Sequence, residues 1–323
     1  MIRQRIRSFF NPEWFQGWGK TRKYFEGWYF KLVTADEQRA FAIIPGIAMD
    51  ENGKAHSFIQ CLDGKNKTSR YFSFEAAAFR PSSHSFQVSI GENRFSDQEL
   101  KLAIPGLAGE LKFSNTVGWP KPFYSPGIMG PYAFAPFMEC YHGIVSMDHS
   151  LYGRLQVDEV EIDFDGGRGY IEKDWGRSFP SAYFWMQSNH FSQTGTSLKA
   201  SVARIPWIRK AFTGFIAGLW WENRLYRFTT YNGTVLKKSF ADEKQVHLVM
   251  ENRRYGLEIT AQRDQATGLA SPILGFMNGR IEESMTARLD TRFYESKTKK
   301  MLMHDQGRNA GLEVAGEIGK IFV

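Results

Sequence analysis

Apolar and polar residues alternate in short runs along most of the chain, and turn residues separate the runs about every 8–12 positions. In the first half these runs lie at 24–34, 39–47 and 55–62, and four more follow up to residue 115. The pattern resumes at residue 139, with an Asn-Gly pair at 232–233 of the type that closes a tight hairpin. Regularly spaced short strands are typical of antiparallel sandwiches and barrels. We therefore predict an all-β protein.

Residues 117–137 interrupt this pattern with five prolines and six aromatic residues. Long irregular connections are rare inside compact domains, so the segment predicts a domain boundary. We expect an N-terminal β domain at 21–125 and a C-terminal β domain at 126–323, after an N-terminal arm at 1–20. Related short segments around Tyr24 and Tyr170 suggest that the two domains are similar β units.

The N-terminal arm is basic and amphipathic. Residues 1–10 predict a short helix, and the Asn-Pro pair at 11–12 predicts a further helical turn over 12–17. Seven lysines and arginines face two acids within residues 1–31, whereas the net charge of the whole chain is +7. The arm could therefore lie on an anionic membrane surface. The alternative is a solvated arm that packs on the body of the protein. A nucleic-acid partner is not expected, because no binding module accompanies the charge.

Composition adds two further expectations. Aromatic residues make up 15% of the chain, which can fill a core or line a pocket for an apolar ligand. The two cysteines cannot build a disulfide framework, and neither a secretory signal nor an apolar run long enough to span a membrane is recognisable. We therefore predict a cytoplasmic protein whose membrane contact is limited to the inner surface.

Charge and aromatic side chains are densest at 169–191. In an extended segment Glu172 and Asp174 share one face, and Lys173 and Trp175 share the other. A carboxylic acid in an aromatic pocket has a raised pKa and can act as a general acid near neutral pH. Pairing of these acids with Lys173 or Arg177 is the structural alternative.

The next predicted strand carries Trp185, Gln187, Asn189 and Phe191 on one face. Such a wall could hold a ligand hydroxyl or carbonyl between aromatic rings. The alternative is a buried amide pair that hydrogen-bonds to neighbouring strands.

Glu26 shares its predicted strand face with Trp28. It is either a second acid of the site or the partner of a buried donor.

Sequence motifs for a serine nucleophile, a phosphate-binding loop, a zinc site or a redox dithiol are absent. Cys140 and His142 share a predicted face, but scattered residues of this kind make a poor metal site. We therefore expect neither a metal nor a cofactor.

Two segments together resemble the tocopherol cyclase family. They are YFEGWYFKL at 24–32 and GYIEKDWGRSFPSAYFWMQSNHF at 169–191. Plant members carry closely similar Y-F-E-G-W-Y-[YF]-K and E-x-[DN]-W-G-x-x-F-P segments, and the second leads into W-x-Q-x-N-x-F. The residues that carry the resemblance are Glu26, Gly27, Trp28, Glu172, Trp175, Gly176, Phe179, Pro180, Trp185, Gln187, Asn189 and Phe191. A more distant likeness runs to carotenoid hydratases, which have a histidine where this chain has Lys173.

The resemblance implies two lipocalin-like antiparallel β-barrel or sandwich units packed around an apolar tunnel. It also implies cyclisation of a prenylated phenol to a chromanol without a cofactor. An acid protonates the alkene, and the phenol oxygen then captures the tertiary cation. Under this hypothesis the acid is Glu172 or Asp174, with Glu26 as the alternative. The predicted substrate-binding residues are Trp28, Lys173, Trp175, Trp185, Gln187, Asn189 and Phe191.

Two other functions fit a pair of β units that enclose an apolar tunnel. One is a non-enzymatic binder of an apolar isoprenoid or lipid, and the other is a hydratase that captures the cation with water. Plant members begin with a plastid-targeting extension that is not recognisable here, so the resemblance implies a bacterial protein whose substrate could be another prenyl quinol or terpenoid. In each case we expect the site to lie between the two β units.

Overall fold

Antiparallel β-sheet is the dominant structure of the protein, as the sequence predicts. The computed structural model describes residues 2–208 and 210–321. The chain divides into two compact units, which comprise residues 1–179 with 269–280, and residues 180–268 with 281–323. The boundary predicted at 125/126 falls inside the first unit, because the strands that follow residue 139 pair with strands of the first half. Within the described residues, no helix is long and apolar enough to cross a membrane.

The first sheet has twelve strands in the order β4-β3-β2-β1-β12-β10-β9-β8-β7-β6-β5, with β11 paired to β10. Its strands are β1 (Tyr24–Val33), β2 (Ala40–Met49), β3 (Ala55–Asp63), β4 (Thr68–Glu75), β5 (Phe79–Pro81), β6 (Gln87–Ile90), β7 (Asn93–Ser96), β8 (Glu99–Ile104), β9 (Leu107–Ser114), β10 (Cys140–Val157), β11 (Val160–Asp163) and β12 (Arg168–Gly176). Strand β1, from the start of the chain, lies directly beside β12. The two segments that contain the predicted acids are therefore neighbours in the sheet.

One face of this sheet forms the core of the first unit. Trp28, Phe30 and Leu32 alternate along β1 and are completely buried, and they pack with Ile171 of β12. Burying one such side chain stabilises the fold by about 1.5–3 kcal/mol. Because side chains alternate across a strand, the intervening residues of β1 and β12 point to the opposite face.

The second sheet has ten strands in the order β16-β15-β14-β13-β22-β21-β19-β18-β17, with β20 paired to β21. Its strands are β13 (Ala182–Ser188), β14 (Ser197–Trp207), β15 (Lys210–Trp221), β16 (Arg224–Thr229), β17 (Val235–Ala241), β18 (Gln245–Glu251), β19 (Tyr255–Gln262), β20 (Thr267–Ile273), β21 (Phe276–Glu295) and β22 (Met301–Gly316). Phe184 and Met186 belong to the hydrophobic core of this unit.

In the described part of the chain, helical structure is confined to short segments. The predicted N-terminal helix is present as α1 (Ile2–Phe9), and three single 3-10 turns lie at Ala76–Ala78, Gly130–Phe134 and Ile318–Lys320. The helical turn predicted over 12–17 is wrong, since residues 12–13 form a turn, residue 14 is a bend and 15–17 are irregular. The predicted irregular connection at 117–137 is confirmed.

Candidate active site

The register between β1 and β12 separates the predicted acids onto two faces of one sheet. Trp28 lies opposite Lys173, and Tyr29 lies opposite Glu172. Residues that pair across antiparallel strands share a face. Lys173 therefore lies on the core face with Glu26, and Glu172 lies on the other face. We call the latter the second face.

On the core face, Glu26 and Lys173 form a completely buried ion pair. The ammonium nitrogen of Lys173 lies 2.6 Å from Glu26 Oε1. Backbone amides of Gln16 and Gly17 donate to the carboxylate at 2.9–3.0 Å, and the hydroxyl of Tyr24 donates to it as well. Burial raises the pKa of Glu26, and the nearby Lys173 ammonium opposes that rise. Burial lowers the pKa of Lys173, and Glu26 opposes that change.

Lys173 uses its remaining hydrogen-bonding capacity on the segment before β1. It donates to the carbonyl oxygen of Pro12 at 2.9 Å and to that of Trp14. Its ammonium lies 4.8 Å from the centre of the Trp28 ring and 4.7 Å from that of the Trp175 ring, a cation–π arrangement. The ion pair therefore anchors residues 12–17 to the sheet. Of the two roles expected for Glu26, this geometry favours the partner of buried donors.

On the second face, four polar side chains lie in a row, with a hydrogen bond at each end and a 3.5 Å approach between the two middle ones. Asp174 Oδ1 lies 2.7 Å from His142 Nδ1, and His142 Nε2 lies 3.5 Å from Glu172 Oε2. The hydroxyl of Tyr170 donates to Glu172 Oε2. Glu172 and Tyr170 are buried, whereas the Asp174 side chain is 26% exposed. We call this Asp174–His142–Glu172–Tyr170 arrangement the polar chain.

The hydrogen bonds of the polar chain fix which groups donate and which accept. A carboxylate only accepts hydrogen bonds, so His142 Nδ1 carries the proton that points at Asp174. Nε2 is a buried nitrogen without a hydrogen bond to any of the described residues, so in the neutral form of the ring it offers a free lone pair. Burial and then Glu172 raise the pKa of Tyr170 well above its usual value, so the phenol remains a donor.

Cys140 lies beside the polar chain but is a poor nucleophile. Its sulfur lies 3.9 Å from Asp174 Oδ1. Burial, and then Asp174, raise the pKa of the thiol well above its usual value. Only the thiolate attacks carbon or binds metal effectively, so the site keeps Cys140 in its unreactive form.

Two buried side chains flank Glu172 on the second face. Tyr29 of β1 lies opposite Glu172 on one side, and Ile144 of β10 lies opposite it on the other. Neither belongs to the hydrophobic core cluster of the unit, although both are buried. Lys31, which pairs in register with Tyr170, is also completely buried. The acid thus lies among an aromatic ring, an aliphatic group and a buried cation.

Sequence reasoning did not include His142 in the site. The local signal is only a histidine in alternation with Cys140. What gives it a role is the pairing of His142 with Asp174 across β10 and β12, a register that a single sequence does not reveal.

Among the described residues, His142, Glu172 and Asp174 form a group that could hold a metal ion. One ligand atom from each lies within 4.8 Å of the others. The short hydrogen bond between His142 Nδ1 and Asp174 orients the imidazole ring. His142 Nε2 and Glu172 would then be the direct ligands of the metal, and Asp174 would hold the histidine in place through that hydrogen bond. Two protein ligands are fewer than the three typical of a catalytic zinc site.

In the second unit, Trp185 and Gln187 lie on the face of β13 opposite its hydrophobic core. The Trp185 ring covers Gly311, where a Cβ atom would lie 2.6 Å from the ring and 3.4 Å from Glu283 Oε1. Gln187 pairs with Lys199 of β14, and Gln187, Lys199 and Glu283 are all buried. Neither Lys199 nor Glu283 is among the site residues predicted from the sequence.

The placement predicted for Phe191 is wrong. Strand β13 ends at Ser188, so the alternation does not extend to Phe191. Its ring joins Phe184 and Met186 in the hydrophobic core of the second unit. Asn189, just after the strand, is buried.

A cavity of about 780 Å³ opens elsewhere in the first unit. Serine, glutamine and charged side chains make up most of its lining, and no residue of the polar chain takes part. This cavity is therefore not the predicted apolar tunnel. The tunnel stays a prediction. The predicted position of the site between the two β units also stays a prediction.

Curated relatives support the resemblance seen in the sequence. A probable chloroplastic tocopherol cyclase of Oryza sativa subsp. japonica is 25% identical over 217 residues, which cover 64% of this chain and 43% of the rice protein. A chloroplastic tocopherol cyclase of Zea mays is 24% identical over 194 residues, which cover 56% of this chain and 40% of the maize protein. The chain thus spans less than half the length of these relatives.

Solved structures support the fold. CghA in complex with Sch210972 superposes with a TM-score of 0.55 at 11% identity, covering 91% of this chain and 89% of CghA. A putative AttH of Nitrosomonas europaea gives a TM-score of 0.55 at 14% identity, covering 91% of this chain and 93% of the AttH chain.

The model of the tocopherol cyclase-like family matches residues 108–316, a range that includes His142, Glu172 and Asp174. The chain therefore belongs to the tocopherol cyclase-like family.

Proposed function

We propose that the protein catalyses acid-promoted ring closure of a prenylated phenol or quinol to a chromanol, with Glu172 as the proton donor. The observation that carries the proposal is the polar chain, in which a buried carboxyl group is held by Tyr170 and lies 3.5 Å from an imidazole nitrogen. Family membership supports a cyclase. The burial of Glu172 favours an enzyme over a simple binder, because a binder of apolar molecules needs no buried acid.

The proposed reaction moves one proton onto the substrate and one off it. Protonated Glu172 donates its proton to the alkene carbon that leaves a tertiary cation. The phenol oxygen attacks this cation, forming the new C–O bond, and His142 Nε2 takes the phenol proton. The resulting imidazolium is stabilised by Asp174 and returns the proton to Glu172. Substrate and product are isomers, and both side chains end in their starting states.

Glu172 suits the role of the acid better than the other two candidates. Glu26 is occupied by Lys173, Tyr24 and two backbone amides on the core face. Asp174 is partly exposed and accepts the hydrogen bond from His142. Glu172 lies between Tyr170 and His142, where a donated proton can be replaced.

Aromatic rings of the second face are suited to stabilising the cation. Tyr29 and Tyr170 flank Glu172 on this face, and a cation over an aromatic ring gains about 0.5–2 kcal/mol. Trp28 and Trp175, which were predicted to bind the substrate, pack against the Lys173 ammonium. We assign the charge stabilisation to the tyrosines. Trp185, Gln187 and Asn189 belong to the second unit, and their substrate-binding role stays a prediction.

Incubation with a prenylated hydroquinone in D2O tests the proposal. Ring closure gives a product with one deuterium on carbon and no added oxygen. Hydration of the alkene would add one molecule of D2O, and a binder would return the substrate unchanged. Either of these last two results would replace the cyclase proposal by the corresponding alternative.

A further inference from the structure

Helix α1 has an unusual orientation. Ile2 and Ile6 are four residues apart and share a helix face, yet their side chains are 76% and 58% exposed. Ser8, on another side of the helix, is buried. It accepts a hydrogen bond from the Trp18 indole. A helix that packs on a protein normally turns its apolar stripe inward. Here a polar side faces the protein, and the apolar stripe faces outward.

The irregular connection after β9 exposes apolar side chains as well. Phe123 and Tyr124 are 79% and 65% exposed, and their rings pack against each other with centres 5.4 Å apart. Phe134 and Phe137, farther along the same connection, are also exposed. Four exposed aromatic side chains in one segment are more than the scattered apolar residues of an ordinary surface.

Three contacts join α1 and this connection into one surface of the first unit. The rings of Phe9 and Phe134 lie 5.0 Å apart. Directly after the helix, Pro12 packs against Gly127, and Glu13 forms an ion pair of 2.5 Å with Lys121. These contacts join α1 and the connection in one region of the first unit, and we call its exposed side chains Ile2, Ile6, Phe123 and Tyr124 the apolar rim.

Positive charge surrounds the apolar rim. Arg3, Arg5 and Arg7 of α1 are exposed, and α1 contains no acidic residue. Exposed basic residues continue at Lys20 and Arg22. An apolar helix face flanked by arginines, with aromatic residues beside it, is the pattern of segments that lie in the interface of a bilayer. Anionic headgroups complement the arginines.

We propose that the apolar rim docks the protein on a bilayer that contains anionic lipids. Ile2, Ile6, Phe123 and Tyr124 enter the boundary between headgroups and acyl chains, and the arginines of α1 lie among the headgroups. The inference is independent of the proposed cyclisation, because it uses none of the residues of the polar chain.

Cosedimentation with vesicles tests this docking. The full-length protein is mixed with vesicles of phosphatidylcholine alone, or of phosphatidylcholine with phosphatidylglycerol. We expect binding to the anionic vesicles that weakens as salt is raised. Because each buried apolar side chain contributes to partitioning, the double variants Ile2→Ser/Ile6→Ser and Phe123→Ser/Tyr124→Ser should each bind at least about tenfold more weakly.

Matched control variants distinguish specific binding through the apolar rim from nonspecific hydrophobic adsorption to vesicles. Val235→Ser/Phe240→Ser removes an exposed aliphatic and an exposed aromatic side chain from β17 of the second unit and should change vesicle binding less than about twofold. Arg3→Glu/Arg5→Glu should abolish the preference for anionic vesicles. All variants replace exposed side chains, and thermal unfolding verifies that they fold.

Three outcomes would overturn the proposal. The wild-type protein could fail to bind anionic vesicles, or the rim variants could bind as well as the control. Light scattering could instead show that the protein self-associates through the rim and ignores vesicles, in which case the rim contacts a second copy of the chain.

Discussion

Glu26 and Glu172 lie on opposite faces of two neighbouring strands, although both are buried carboxyl groups with a tyrosine hydroxyl donating to them. Glu26 faces the core and is paired with Lys173. Glu172 faces away from the core, beside His142. The same local pattern, a tyrosine two residues before a glutamate, therefore serves two purposes. On one face it anchors the chain, and on the other it supplies a candidate acid.

The buried ion pair predicts a specific stability cost. Lys173→Met leaves the Glu26 carboxylate buried without its cation, and breaking a pair of this kind costs about 3–5 kcal/mol. Adding Glu26→Gln should recover part of the loss, because it removes the stranded charge. Urea unfolding followed by tryptophan fluorescence measures both, since Trp28 and Trp175 flank the ammonium. A loss below about 1 kcal/mol in Lys173→Met would show that the pair is not a structural anchor.

Ring closure should survive the loss of Glu26 as an acid. We expect folded Glu26→Gln protein to keep its turnover within a few fold, because the carboxyl group lies on the core face. The measurement is product formation per folded molecule. Loss of all turnover in a well-folded variant would restore Glu26 as a proton donor.

His142 should affect turnover more than substrate binding. His142→Gln removes the base that takes the phenol proton, and a positioned base contributes about 10²–10⁴-fold to rate. We expect kcat to fall within this range and KM to change little. His84→Gln, on an exposed loop of the same unit, is the matched control. Equal kinetics for the two variants would remove His142 from the mechanism.

The alternation of the sequence predicted most of the strands and the separation of Glu172 and Asp174 from Lys173 and Trp175. It could not predict which face is the core, because both faces of β1 and β12 are mostly buried and each carries charged as well as apolar side chains. The pairing of β1 with β12 joins residues far apart in the chain, and no local pattern encodes such a pairing. The role of His142 and the core position of Phe191 depend on register and on where a strand ends, which is why both were missed.

His149 should make the first unit sensitive to acid. Burial lowers the pKa of this histidine from its usual value to about 3. In the unfolded chain it binds a proton below about pH 6.5, whereas the folded protein keeps it neutral. Stability is therefore complete above pH 6.5 and is lost as the pH falls toward 3, by about 1.4 kcal/mol per pH unit.

A pair of urea unfolding measurements checks this expectation. Between pH 7 and pH 5 the wild-type protein should lose about 2 kcal/mol more than His149→Gln, which does not titrate. Because the two proteins share every other titratable group, the difference between their losses of unfolding free energy reports on His149 alone. An equal loss in the two would mean that His149 can be protonated in the fold.

Metal removal distinguishes proton transfer from metal catalysis at the same residues. The proposed reaction uses only side-chain protons, so dialysis against EDTA should leave turnover unchanged. Loss of turnover on dialysis, with recovery on adding back one divalent ion, would instead make Nε2 of His142 and Glu172 metal ligands.

The role of Glu172 is tested most directly by deuterium incorporation with Glu172→Gln and its matched control, Glu161→Gln. Glu161 is exposed on β11, and its replacement should leave the rate of single-deuterium incorporation from D2O unchanged. Glu172→Gln should fold normally and incorporate no deuterium above the uncatalysed rate. Incorporation at the wild-type rate in Glu172→Gln would contradict the assignment of Glu172 as the acid.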